Sequence, residues 1–126
     1  MSSVVKETAA ESGTPPRATY ENDRYWTQRL EREFNLAGVG HAGVGLAFNR
    51  WAYRVRRTVL LRALRRHTIG VAGARLLELG FGTGYYLELW RALGAAHVLG
   101  FDITEIAVNA ARERFGGAAA PPMTGG

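Results

Sequence analysis

The run Ala74-Arg75-Leu76-Leu77-Glu78-Leu79-Gly80-Phe81-Gly82-Thr83-Gly84 decides the fold. Its first six residues are short, mostly apolar and end at a glycine cluster, the pattern of a strand buried in a parallel sheet. Thr83 to Leu93 then changes period: Tyr86, Leu87, Trp90 and Leu93 recur on one side of a helix that Gly94 stops. His97-Val98-Leu99-Gly100-Phe101 predicts a second strand, closed by Asp102. Thr104 to Phe115 predicts a further helix with Ile106, Ala107, Ala110, Ala111 and Phe115 on one face and Asp102 or Thr104 as N-cap. Strand, glycine turn, helix, strand, helix is the opening of a doubly wound α/β sheet. Two strands cannot form a stable sheet covered on both faces. The sequence therefore predicts either the front half of a larger domain, the favoured reading, or a chain that borrows strands from a partner, with an open edge on the first strand that favours self-association.

The turn and its acids carry the chemistry. Glycines at alternate positions let the chain turn sharply from strand to helix and let a ligand approach with no Cβ in the way. The N–H groups at the new helix start are expected to face that ligand. Asp102 follows Gly80 by 22 residues, and an acid at the end of the next strand can accept hydrogen bonds from both hydroxyls of a ribose. Together these features predict a site for a nucleoside-containing cofactor. The dinucleotide fingerprint places its third glycine three residues after the second, where this chain has Tyr85; its third glycine, Gly84, comes one residue early. Glu78 would also repel a pyrophosphate, whereas the sulfonium and ammonium of S-adenosylmethionine suit a carboxylate.

At these residues the sequence resembles the class I S-adenosylmethionine-dependent methyltransferases. Glu78-x-Gly80-x-Gly82-x-Gly84 is similar to the family's first motif and Gly100-Phe101-Asp102-Ile103-Thr104 to its second. The resemblance spans about residues 70 to 115 and implies an incomplete Rossmann-like α/β fold: the first two parallel strands with flanking helices, preceded by N-terminal helices. It implies S-adenosyl-L-methionine as cofactor. The turn Gly80, Phe81, Gly82 and Gly84 would line its methionine and ribose, Glu78 would lie near its amino-acid end, Asp102 would bind the ribose hydroxyls and Ile103 would pack on the adenine. The bland readings are a plain turn for the glycines, an N-cap for Asp102, a surface position for Glu78 and a core position for Ile103. The family also calls for a third strand and a fourth with substrate contacts; the sequence shows none after Phe115, and no catalytic base is assignable. The implied activity is methyl transfer to a small-molecule nucleophile. An NAD(P)-dependent oxidoreductase fragment and a non-enzymatic module binding RNA or an anionic surface are the alternatives.

Outward from this core, residues 70–115 follow a helical segment, 20–69. Tyr25, Trp26, Leu30 and Phe34 mark a short helix from Tyr20 to Phe34, and a glycine-rich link follows between Gly38 and Gly45. From Leu46 to about His67 runs the longest helix, where Phe48, Ala52, Val55, Val59 and Ala63, with Trp51, Leu60 and Leu64 beside them, form a broad stripe expected to pack on the sheet. Arg50, Arg54, Arg56, Arg57, Arg62, Arg65 and Arg66 take most of the remaining surface, read as a solvated face, with nucleic acid the weaker partner. Trp26 is expected in the core, and Tyr20 and Tyr25 are candidates for a cover over the cofactor. Residues 1–19 and 116–126 predict disordered ends.

Composition narrows the classes. The chain has 126 residues, a net charge of +5 and no cysteine, which excludes disulfide scaffolds and cysteine-based metal sites. Of its 16 basic residues only Lys6 is a lysine, so no P-loop lysine follows a glycine loop. His41, His67 and His97 share no metal-ligand spacing. No transmembrane helix or secretory signal is expected, and the expected location is cytoplasmic.

Overall fold

The computed structural model describes residues 17–116 and 123–124. Its elements are α1 (Arg17–Arg32), α2 (Leu36–Val39), α3 (Gly45–Arg66), β1 (Arg75–Leu79), α4 (Tyr85–Ala92), β2 (His97–Phe101), α5 (Glu105–Phe115) and β3 (Met123–Thr124). The predicted disordered ends, 1–16 together with 117–122 and 125–126, lie outside the described residues. Residues 17–19, at the end of the predicted N-terminal tail, are helical.

The strands run parallel in the order β1-β2-β3, with Glu78 opposite Gly100 and Leu79 opposite Phe101. This is half of the doubly wound order 3-2-1-4-5-6. β3 corrects the expectation that no strand follows Phe115: Met123 pairs with Val98 and Thr124 with Leu99. Two residues are too few to show a period, and only the neighbouring strand makes them one.

Alternation along the strands sends Leu76, Val98 and Gly100 to one face and Leu77, Leu79 and Phe101 to the other. The first face meets the core, which gathers Leu30 from α1, Phe81 from the glycine turn, Leu87 from α4, and Ala107, Ala111 and Phe115 from α5. Leu77, Leu79 and Phe101 are exposed. Both steps across the sheet go in one direction, and for the right-handed crossovers usual in parallel sheets this puts both helices on one face, where α4 and α5 share a single core.

The helical segment departs from its predicted packing. Phe48, Trp51, Val55 and Val59 point to solvent, and Ala63 is exposed with them. α3 is seated by the opposite side, where Asn49 and Tyr53 are buried and Leu64 packs against the core. Apolar residues surround so much of this helix that periodicity alone cannot choose its inward side. The choice falls to Asn49, fully buried, whose Oδ1 accepts from the His41 amide at 2.8 Å while its Nδ2 donates to the carbonyls of His41 and Gly45. A buried amide that satisfies both its ends on one strap of backbone sets the rotation of the helix.

Just before the expected glycine-rich link, and running into it, α2 is capped by Asn35, which accepts from the amides of Ala37 and Gly38. Arg29 of α1 donates to the carbonyls of Ala37 and Gly40 at 2.8 and 2.9 Å, tying α1 to the end of α2. The same guanidinium lies 5.2 Å from the Trp26 ring centroid, and Trp26 is half-buried beneath it.

Candidate functional site

The glycine turn and Asp102 meet at the carboxyl ends of β1 and β2, where ligands bind in open α/β sheets. Gly80 opens the turn at φ +68° and its amide donates to the Phe101 carbonyl at 2.7 Å. Gly82, at φ +52°, donates its amide to Asp102 Oδ2 at 2.8 Å. The Gly84 amide closes the turn on the Phe81 carbonyl at 2.8 Å. The amides of all three glycines are thus satisfied inside the protein. A carboxylate and two carbonyls hold them.

The three glycines have three surroundings. A Cβ on Gly80 would meet nothing within 4 Å, so this side of the turn is open. A Cβ on Gly82 would come within 2.7 Å of Val39 Cγ1, because the end of α2 rests on the turn. One on Gly84 would come within 3.2 Å of the Phe115 ring. Phe81 between them buries its ring in the core, close over Gly100, so only its backbone remains for the turn's surface.

Asp102 is a hub. Besides Gly82 it accepts the Thr104 amide at 2.9 Å and the Thr104 hydroxyl at 2.8 Å, both on Oδ1. Thr104, not Asp102, is the N-cap of α5: its hydroxyl oxygen accepts from the Ala107 amide. An ionised carboxylate offers about four lone-pair positions, so three internal donors leave room for a further hydroxyl. Beside it Ile103 is 59% exposed, an apolar side chain outside the core at the strand end.

Glu78 stands two residues before the turn, on the same end of the sheet. Its Oε2 accepts from the Trp90 indole N–H of α4 at 2.8 Å. Trp90 stacks on Tyr86 at 6.3 Å, and Tyr86 and Tyr85 in turn meet Tyr53 of α3, the Tyr53–Tyr85 rings edge-on at 4.9 Å. Burial raises the phenol pKa of Tyr53 and of Tyr86 above the ordinary value, with Arg56 opposing in both cases.

Sequence reasoning missed Val39, Asn49, Thr104 as a partner of Asp102, and the Trp90–Glu78 bond. Thr104 alone had a signal, as a residue that caps a helix and can also reach an acid two positions before it. The others depend on contacts between elements. Among the described residues, no group of three or more His, Cys, Asp or Glu gathers to hold a metal. Among the described residues, no helix is long and apolar enough to cross a membrane either.

No curated protein and no solved structure matches the chain significantly. A family model described as a methyltransferase domain matches residues 77–123, from the middle of β1 into β3. That span contains the glycine turn, the Asp102 hub and the parallel β1-β2-β3 order. Residues 77–123 are therefore similar to a methyltransferase domain, which supports the class I S-adenosylmethionine-dependent type.

Proposed function

We propose that the turn between β1 and α4 binds S-adenosyl-L-methionine and that the protein transfers its methyl group to a small-molecule nucleophile. The observation that carries this reading is the Gly82 amide bonded to the Asp102 carboxylate, with the Gly80 and Gly84 amides likewise committed. A diphosphate needs free N–H groups aimed at it. Here the donors at all three glycines are taken, that of Gly82 by a carboxylate. That arrangement disfavours an NAD(P) site and suits a ligand with a cationic sulfur and a ribose.

The residues present fit such a ligand. Gly80 leaves an open approach, Asp102 keeps acceptor capacity for a ribose hydroxyl, and Ile103 offers an exposed apolar surface for a base. Glu78, steadied by Trp90, would place negative charge near the ligand's amino-acid end. The cofactor supplies an electrophilic methyl group when bound. The chain's own part is to hold that group in line with the acceptor, which by itself can supply much of the rate. The exposed Leu77, Leu79 and Phe101 and the free edge of β1 support a second half of the domain that continues the sheet from β1 and brings the acceptor contacts.

Calorimetric titration of the chain with S-adenosylhomocysteine and, separately, NADH tests the reading. Heat with S-adenosylhomocysteine that falls at least tenfold in affinity in Asp102→Ala is expected. Heat with NADH alone would overturn it.

A further inference from the structure

We propose that the outward face of α3 docks on an anionic phospholipid surface, an interaction independent of the cofactor reading. Phe48, Trp51, Val55 and Val59 follow one another at spacings of three, four and four, the stripe of one helix face. All four are exposed, Trp51 at 54% and Val59 at 59%. The Phe48 and Trp51 rings touch at 5.6 Å between centroids, forming one aromatic wedge near the start of the helix. On the opposite side Asn49 and Tyr53 seat the helix, so this stripe is surplus to its packing.

Charge selects the occupant. α3 carries seven arginines and no acid; the chain has no Asp or Glu anywhere between Glu33 and Glu78. At 100° per residue, Arg54 and Arg65 flank the stripe while Arg62 and Arg66 continue it towards the C-terminal end. Long guanidinium side chains beside an apolar strip with Trp and Phe describe a helix lying in a membrane interface, its apolar side in the acyl boundary and its cations on the headgroups. The 22 residues of α3 extend about 33 Å, enough to lie along such a surface.

Other occupants fit less well. Single-stranded RNA stacks its bases on successive aromatic rings, and this strip turns aliphatic at Val55 and Val59. A second copy would bring two acid-free arginine faces together. Arg56 is not part of the surface: its guanidinium sits 5.2 Å from the Tyr53 ring, on the side that seats the helix.

The test is co-sedimentation of the full chain with vesicles of phosphatidylcholine alone or with about one-third phosphatidylglycerol, at low and high salt. Binding to the anionic vesicles only, weakened by salt, is expected. Arg54→Gln with Arg62→Gln should lower the partition coefficient about 30-fold, since each arginine near the surface contributes about fivefold. Trp51→Ser with Val55→Ser keeps the charge and should lower it about tenfold. Circular dichroism of each variant, whose changed side chains are exposed, confirms that the fold persists. Failure to sediment with either vesicle, or binding that Trp51→Ser/Val55→Ser leaves unchanged, overturns the proposal. So does an RNA affinity, or a concentration-dependent dimer, that the same variant abolishes in the absence of vesicle binding.

Discussion

The two faces of this small sheet are made by the same strands and the same kinds of residue, yet they differ completely in burial. On one, Val98 and Gly100 lie beneath Leu87 and Phe81, and the helices α4 and α5 close over them. On the other, Leu77, Leu79 and Phe101 stand in solvent. Nothing in their side chains distinguishes Leu76 from Leu77. The direction of the crossovers does: two parallel connections that step the same way return on one side of the sheet, which leaves the other face bare. Leucine is thus core or surface according to what the rest of the topology brings over it. The helix α3 shows the same rule, with Tyr53 buried and Trp51, two positions away, exposed.

The sharpest way to break this comparison is a matched pair of truncations. Leu87→Ala removes a side chain only 2% exposed and should cost about 2–5 kcal/mol in chemical denaturation. Leu79→Ala, at 70% exposure, should change stability by no more than about 0.5 kcal/mol. Equal losses would show that the bare face is covered in solution. If the free edge and bare face drive self-association, Leu77→Lys with Leu79→Lys should shift sedimentation towards the monomer with little loss of stability.

A smaller effect is expected where the helical segment rests on the turn. Gly82→Ala places a Cβ at φ +52° and within 2.7 Å of Val39 Cγ1, which should cost about 1–3 kcal/mol. Combining it with Val39→Ala should cost less than the sum of the two, because the clash is shared. Strict additivity would place α2 away from the turn in solution. Thr104→Ala removes both the α5 cap and a donor to Asp102. A loss of about 1 kcal/mol in thermal or denaturant unfolding is expected, and a neutral result would take Thr104 out of the hub.

The weakest effect concerns pH. Tyr53 and Tyr86 hold their protons more tightly in the folded chain, where burial disfavours the phenolate, than in the unfolded one. From about pH 10, where free tyrosines ionise, the unfolded state binds fewer protons than the folded state, so stability falls as pH rises towards the raised folded values. In Tyr53→Phe/Tyr86→Phe the alkaline fall should be shallower in denaturant midpoints followed against pH. An unchanged slope would take both tyrosines out of the alkaline fall.

Much of the α/β unit was legible beforehand because its signals are local. β1, α4, β2 and α5 follow the predicted order, since a strand ending in Gly-x-Gly-x-Gly and a helix entered through Thr104 are defined by neighbours in sequence. The closeness of Asp102 to the glycine turn was likewise readable, because adjacent parallel strands bring their carboxyl ends together whatever their side chains. The direction of the glycine amides was not: they turn inward to Asp102 and to two carbonyls, a choice made by hydrogen-bond satisfaction in three dimensions. Nor was α2, which needs Asn35 as cap and Arg29 as clamp.

The sequence by itself determined the order β1, α4, β2, α5 and the composition of the glycine turn between the first two. Periodicity, glycine conformations and helix caps act over a few residues and can be read one element at a time. Which face of α3 turns inward, which leucines of β1 are covered, and which of the glycines stays open were decided only in the tertiary structure. Those outcomes depend on contacts between residues distant in the chain, with Asn49 holding the His41 strap, Val39 pressing on Gly82 and both crossover helices packing on one face, and such contacts exist only once the elements have met.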